Sequence, residues 1–134
     1  MTAVRIALAV LVAILVTLGL GFVWGSSGRV TAERARDEAR QQLDLAEARG
    51  ELLEARVSLY NVNFGDAARH FEQAKVPLQR VQERYAREGN KEAAAAIAAA
   101  IERASDGQKL AAKLDQTANA RANDALEAIK RATK

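Results

Sequence analysis

An uninterrupted apolar run at residues 6–24, IALAVLVAILVTLGLGFVW, constrains the fold more than any other feature of the sequence. As an α-helix this run would be about 28 Å long, and the hydrocarbon core of a bilayer is about 30 Å thick. We therefore predict a transmembrane anchor at residues 1–25, followed by a short linker at residues 26–30. A cleaved signal peptide is the alternative, but the run is longer than the usual apolar core of such peptides, and no A-x-A cleavage motif stands near its C-terminal end.

Small side chains recur at every fourth position within this run, so they share one face of the predicted helix. The residues on this face are Ala9, Ala13, Thr17, Gly21 and Gly25. A face of this kind lets the backbone of a neighbouring membrane helix approach closely. It is a candidate helix-packing face, although Ala and Gly are also common in membrane helices that have no specific partner.

The arginines around the apolar run bear on its orientation. Arg5 precedes the run, and four arginines follow it between residues 29 and 40. The positive-inside rule therefore favours a cytoplasmic location for the C-terminal domain. The alternative is an N-inside signal anchor, which would place the domain on the opposite side of the membrane.

The domain at residues 31–134 is predicted to be all-α, because apolar or small residues recur in alternating steps of four and three. The first such stripe comprises Ala39, Leu43, Ala46, Gly50, Leu53, Val57 and Tyr60, and Leu45, Leu52 and Leu59 widen it. The second comprises Phe64, Ala67, Phe71, Ala74, Leu78, Val81 and Tyr85. The third comprises Leu110, Leu114, Ala118, Ala125, Ile129 and Ala132.

These stripes predict three helices, at about 29–61, 64–88 and 91–133, in an antiparallel bundle or coiled-coil-like arrangement. Kinks are expected near Pro77, which lacks a backbone N–H, and near Gly107, which is weak in a helix interior. Between the second and third helices, Gly89 is a suitable left-handed C-terminal residue and Asn90 a suitable N-cap.

The stretch NVNFGD, residues 61–66, decides whether the chain turns back or continues as a rod. It combines two Asn, a Gly and an Asp, which are poor helix formers and good helix terminators. We expect a turn, which would bury Leu53, Val57 and Tyr60 against the second helix. A continuous helix that buries its stripe on another chain is the alternative.

The turn is also a candidate contact point for a partner. Tyr60 and Phe64 are one helical turn apart, and the side chains of Asn61 and Asn63 can form hydrogen bonds with a ligand or a partner backbone. The competing interpretation is an aromatic core beside a capped turn.

Residues 65–74, GDAARHFEQA, place Ala67, Phe71 and Ala74 at a spacing that resembles the second helix of a tetratricopeptide repeat. The first-helix signature of that family is missing, and no second copy occurs at a period near 34 residues. The resemblance implies a helical hairpin.

The sequence contains few residues suited to chemistry. There is no Cys, and His70 is the only histidine, so no metal site or thiol chemistry is predicted. The glycines form no phosphate loop or dinucleotide fingerprint, and no serine lies in a nucleophile motif. The net charge of +3 is spread along the chain, which does not indicate nucleic-acid binding. We expect no enzyme activity, cofactor or small-molecule substrate.

The leading functional hypothesis is a single-pass membrane-anchored scaffold or assembly protein that acts through protein–protein contacts. Its partners would be the lipid bilayer and another membrane protein or a second copy. One alternative is a small accessory subunit of a larger respiratory, photosynthetic or transport complex, packed through its transmembrane helix. Another is an exported helical bundle that binds a ligand after signal cleavage.

Overall fold

The computed structural model describes the helical course of residues 2–134 and the side chains of residues 31–134. It contains four helices and, within the described range, no strand. The helices are α1 (Thr2–Tyr60), α2 (Phe64–Arg87), α3 (Lys91–Ala112) and α4 (Ala118–Ala132). The prediction of an all-α chain is therefore confirmed.

The predicted membrane-spanning segment at residues 6–24 lies outside the residues whose side chains are described, and so does its small-residue face. Within residues 31–134, no helix combines the length and apolar character needed to cross a membrane. The chain divides into two compact units, Met1–Ala39 and Arg40–Lys134. The second unit is a helical bundle.

Side-chain contacts show that α1 runs antiparallel to α2 within this bundle. Asp44 near the start of the unit bonds to Arg80 near the end of α2, and Glu51 lies 2.8 Å from His70 near the start of α2. Later residues of α1 thus contact earlier residues of α2, as expected for antiparallel helices. Pro77 lies inside α2, on its buried side.

On its other flank α1 contacts α4, again in the antiparallel sense. Arg56 donates a hydrogen bond of 3.0 Å to Asn119 near the start of α4, and Arg49 donates one of 3.4 Å to Thr133 just after its end. Short turns join consecutive helices, and α3 packs against both α2 and α4. The unit is therefore an up-down-up-down bundle.

The same hydrogen-bond motif ends α1, α2 and α3. After α1, the amide of Val62 bonds to the carbonyl of Leu59 and the amide of Asn63 bonds to that of Ser58. This pair of bonds is a Schellman motif, in which the residue after the helix takes a left-handed conformation. That residue is Val62 at φ 57° after α1, Gly89 at φ 76° after α2 and Leu114 at φ 60° after α3.

The third turn differs from the sequence prediction. Residues 91–133 were expected to form one helix with a kink near Gly107, but Gly107 lies within α3 and the chain turns at residues 113–117 instead. The turn is stabilised by Asp115, whose carboxylate accepts hydrogen bonds from the backbone N–H and the hydroxyl of Thr117. Leu114, predicted to continue the apolar stripe, is 70% exposed as a consequence.

Gly107 does not interrupt α3. Its role is in the packing of α3 against α2. The ring of Phe71, the largest fully buried side chain among residues 31–134, lies directly against it. A Cβ at position 107 would be 2.5 Å from Cε1 and Cζ of that ring. Alanines fill most of the other core positions on α3 and α4, so these helices approach their neighbours closely.

The Gly107→Ala substitution is expected to lower the free energy of unfolding by about 1–3 kcal/mol, because the ring of Phe71 must shift in a close-packed core. Gly50→Ala is the matched control, since a Cβ at position 50 meets nothing within 4 Å. It should raise stability by about 0.5–1 kcal/mol through helix propensity. Urea unfolding followed by circular dichroism measures both, and equal effects of the two substitutions would contradict this account of Gly107.

Candidate protein interaction surfaces

Two apolar stripes run along α1, and only one of them faces the bundle core. The buried stripe comprises Leu45, Ala48, Leu52, Ala55 and Leu59. A second stripe, which we term the outer face, comprises Leu43, Ala46, Gly50, Leu53, Val57 and Tyr60, all of them exposed. Outer-face residues from Leu43 to Val57 each precede a buried residue by two positions, a rotation of about 200° around the helix. The outer face therefore points away from the core.

The prediction that Leu53, Val57 and Tyr60 bury against α2 is wrong. Their exposed fractions are 49%, 51% and 71%, and Leu43 on the same face is 68% exposed. The two stripes have the same alternating period, so periodicity alone does not decide between them. The buried stripe carries three leucines and two alanines and contains no glycine.

Charged residues flank the outer face asymmetrically. Glu47 and Glu54 lie on the flank nearer α2, while Arg49 and Arg56 lie on the flank nearer α4. Glu47 accepts a bond of 3.0 Å from Arg80, and the two arginines bond to groups of the α4 segment. Glu54 has no ion-pair or hydrogen-bond partner among the described side chains.

A cluster of ionic groups fixes α2 against α1. The mostly buried carboxylate of Asp44 accepts hydrogen bonds from Arg80, at 2.9 Å, and from Arg84, at 3.4 Å. One terminal nitrogen of Arg84, Nη1, is buried without a hydrogen-bond partner. Because Asp44 lies on the edge of α1 that faces α2, the cluster holds these two helices together and leaves the outer face uncovered.

His70 lies between helices. Its Nδ1 is 2.8 Å from a carboxylate oxygen of Glu51, and both side chains are partly buried. Within residues 31–134, no cluster of three or more His, Asp or Glu is arranged to hold a metal ion. The arrangement indicates a contact between α1 and α2.

The α1–α2 and α3–α4 turns lie at the same end of the bundle, which we term the two-turn end. The side-chain amide of Gln116 donates a hydrogen bond of 3.1 Å to the backbone carbonyl of Leu59, which joins the two turns. Tyr60, Val62 and Leu114 are all exposed here. A β-branched residue such as Val62 is uncommon at positive φ, so this turn places an apolar side chain in solvent at some conformational cost.

The predicted hairpin-tip residues divide into two groups. Tyr60 and Asn61 are exposed, but Phe64 packs partly against the core and Asn63 is the N-cap of α2, accepting a hydrogen bond from the amide of Asp66. The prediction missed Leu114, because the second turn at this end was expected to be helical. The signal that marks it is the local sequence Leu-Asp-Gln-Thr, in which Asp115 can form a turn with Thr117.

A groove of about 400 Å³ lies between α3 and α4. Its charged lining consists of Arg103, Arg121, Asp124, Glu127 and Arg131. Arg121 pairs with Asp124 at 3.3 Å, and Arg131 bonds to the backbone carbonyl of Glu127. Acidic and basic groups are therefore mixed along the groove, so it is not a concentrated binding site for an anion.

The stretch that resembles a tetratricopeptide repeat lies in the first half of α2, with Gly65 and Asp66 in its first turn. Comparisons of the chain with protein-family models, with curated proteins and with solved structures find no match. The functional argument therefore rests on the geometry of the described surfaces.

Asn63 and Asn61 form a matched pair for testing the two-turn end. Asn63→Ala removes the N-cap of α2 and should lower the free energy of unfolding by about 1 kcal/mol. The side chain of Asn61 makes no hydrogen bond within the described part of the chain, so Asn61→Ala should change stability by less than about 0.5 kcal/mol. Chemical unfolding of the two variants measures the difference. Equal losses would contradict the assigned cap.

The α3–α4 turn should be sensitive to acid. Hydrogen bonds from the hydroxyl and the backbone N–H of Thr117 lower the pKa of Asp115 below its ordinary value of 3.8. The resulting stabilisation is fully present above pH 3.8 and is lost as the pH falls through the lowered value. The melting temperature of the wild-type protein should therefore exceed that of Asp115→Ala near neutral pH, and the gap should narrow in acid. A gap independent of pH would contradict this role of the carboxylate.

Proposed function

We propose that this protein is a single-pass membrane-anchored scaffold that assembles with other proteins through the outer face of α1. The observation that carries the proposal is the exposure of Leu43, Leu53, Val57 and Tyr60 along one side of a helix whose other side is already buried. Scattered exposed hydrophobic residues are ordinary, but a continuous stripe at helical spacing is typical of an interaction surface.

The ion pairs and hydrogen bonds of α1 support this proposal. The groups that bind α2 and α4 lie on the two edges of the helix, and none of them covers the stripe between. Closing the bundle therefore leaves the outer face accessible. Tyr60, the last residue of the outer face, is 71% exposed where this face reaches the two-turn end.

The anchor at residues 6–24 is the second part of the proposal, and it is supported by the uncharged length of that segment. With the domain on the cytoplasmic side, as the arginines after the run favour, the scaffold would hold its partners at the membrane surface.

Capture of partners in mild detergent tests the proposal. The full-length protein with a C-terminal tag is compared with a variant that carries Leu53→Glu and Val57→Glu, which place two charges on the outer face. The matched control is Leu114→Glu, which adds a charge at the two-turn end only. We expect the double variant to lose most of the captured protein while the control retains it. Circular dichroism is used to check that both variants remain folded.

Two other outcomes would contradict the outer-face scaffold. If the double variant captures the same proteins as the wild type, the interface lies elsewhere. If, in addition, residues 29–134 alone retain none of these proteins, capture requires the N-terminal segment. The chain is then an accessory subunit that packs through its membrane helix.

A further inference from the structure

The outer face has the register of a coiled-coil seam. Its residues follow the alternation of three and four that defines positions a and d of a heptad. Leu43, Gly50 and Val57 occupy position a. Ala46, Leu53 and Tyr60 occupy position d. The bundle buries none of these six residues, so the seam is available to a partner helix.

The flanking charges select the orientation of such a partner. In this register Glu47 and Glu54 occupy position e, while Arg49 and Arg56 occupy position g. In a parallel pair of identical helices, position g of one chain faces the following position e of the other. Arg49 would then face Glu54 of a second copy, and the same pair would form again on the opposite side of the seam.

An antiparallel pair of the same helices is disfavoured by charge. In that orientation e faces e and g faces g, so Glu47 would oppose Glu54 of the second copy and Arg49 would oppose Arg56. Like charges placed opposite each other across a seam are repulsive. The charge pattern therefore favours the parallel orientation and disfavours the antiparallel one. Coiled coils achieve specificity by combining attraction and repulsion in this way.

From this complementarity we propose that the outer face binds the outer face of a second copy of this chain, as a parallel coiled coil spanning residues 43–60. The inference rests on the proposed function, because it names the partner for the same surface. Glu54 has a carboxylate that no described side chain engages, and the bond from Arg49 to Thr133 is long and exposed, at 3.4 Å. Both groups can therefore pair across the seam without disrupting the bundle.

The centre of this seam is thin, because Gly50 and Ala46 offer little apolar surface. A side chain at position 50 would meet nothing within 4 Å in the single chain, so larger residues fit there. Anchoring two copies in one membrane would raise their effective concentration and compensate for a weak seam. Gly50→Ile should strengthen the association roughly tenfold or more, because β-branched residues at position a favour two-stranded parallel coiled coils.

Cysteine cross-linking tests the orientation, and the chain contains no Cys of its own to interfere. Single variants Ala46→Cys and Val57→Cys are made in the full-length protein in mild detergent and oxidised, separately and as a mixture. Parallel pairing predicts a disulfide-linked dimer of each variant alone and no mixed dimer, since the two positions lie about 16 Å apart along the helix. Antiparallel pairing predicts the mixed dimer only. Glu102→Cys, exposed on α3, is the control that should remain uncross-linked.

Charge exchange at the seam provides an independent test. Arg49→Glu alone and Glu54→Arg alone each place like charges across a parallel seam, so each should reduce cross-linking at position 57 several-fold. Mixing the two variants should restore it through heterodimers, because each then supplies the charge that the other lacks. Circular dichroism confirms that the variants fold, so a loss of cross-linking reports on association.

The outcomes separate this inference from the proposed function. Homodimers at both cysteine positions, with rescue by the mixed charge variants, support the parallel pair. Mixed dimers only, or monomers throughout, overturn it. If the chain stays monomeric yet still captures another protein through an intact outer face, the scaffold proposal stands without self-pairing. If neither association depends on the outer face, both proposals fail.

Discussion

The contact between the ring of Phe71 and the backbone at Gly107 sets how closely α2 and α3 approach. The bundle as a whole depends on close approach of this kind, because alanines supply most of its core on α3 and α4. An Ala-rich core gains little free energy per side chain from burial, and it is stable only where helix backbones come near enough to exclude voids. The aromatic ring that lies against a glycine fills the space that small residues leave.

α3 and α4 contribute few large side chains to the core, whereas α1 carries enough apolar residues for two faces. Leucines 45, 52 and 59 supply one side of the core, and Leu43, Leu53, Val57 and Tyr60 remain outside. Contacts at the two helix edges hold α1 in this rotation. Asp44 forms ion pairs with two arginines of α2, and Arg56 donates a hydrogen bond to Asn119 of α4. A single helix thus forms part of the bundle and presents a second surface outside it.

The sequence predicted the parts of the fold in which each local signal had a single meaning. The stripe from Ala67 to Tyr85 was correctly identified as the buried face of α2, because no competing stripe exists on that helix. Gly89 and Asn90 form the end of α2 and the start of α3, since glycine and asparagine each suit one conformation there.

The rest of the fold could not be predicted, for physical reasons. On α1 two stripes share one period, so the buried side is decided by how the other three helices pack, which periodicity does not encode. The turns at Val62 and Leu114 place apolar residues in a left-handed conformation that usually takes Gly or Asn, so composition gave no indication of the second. Leu114 was consequently predicted to be a core residue. Of the two turns at this end of the bundle, only the one between α1 and α2 was predicted.

Thiol labelling at two adjacent positions of α1 tests most directly which side of this helix faces the core. The variants Leu52→Cys and Leu53→Cys are each exposed to a maleimide in the full-length protein, over a range of protein concentrations. We predict that the thiol at position 52 is protected at every concentration, because the bundle buries it. The thiol at position 53 should react quickly in dilute protein and become protected only as the concentration rises. A protected position 53 beside a reactive position 52, independent of concentration, would show that α1 is rotated and would contradict the account.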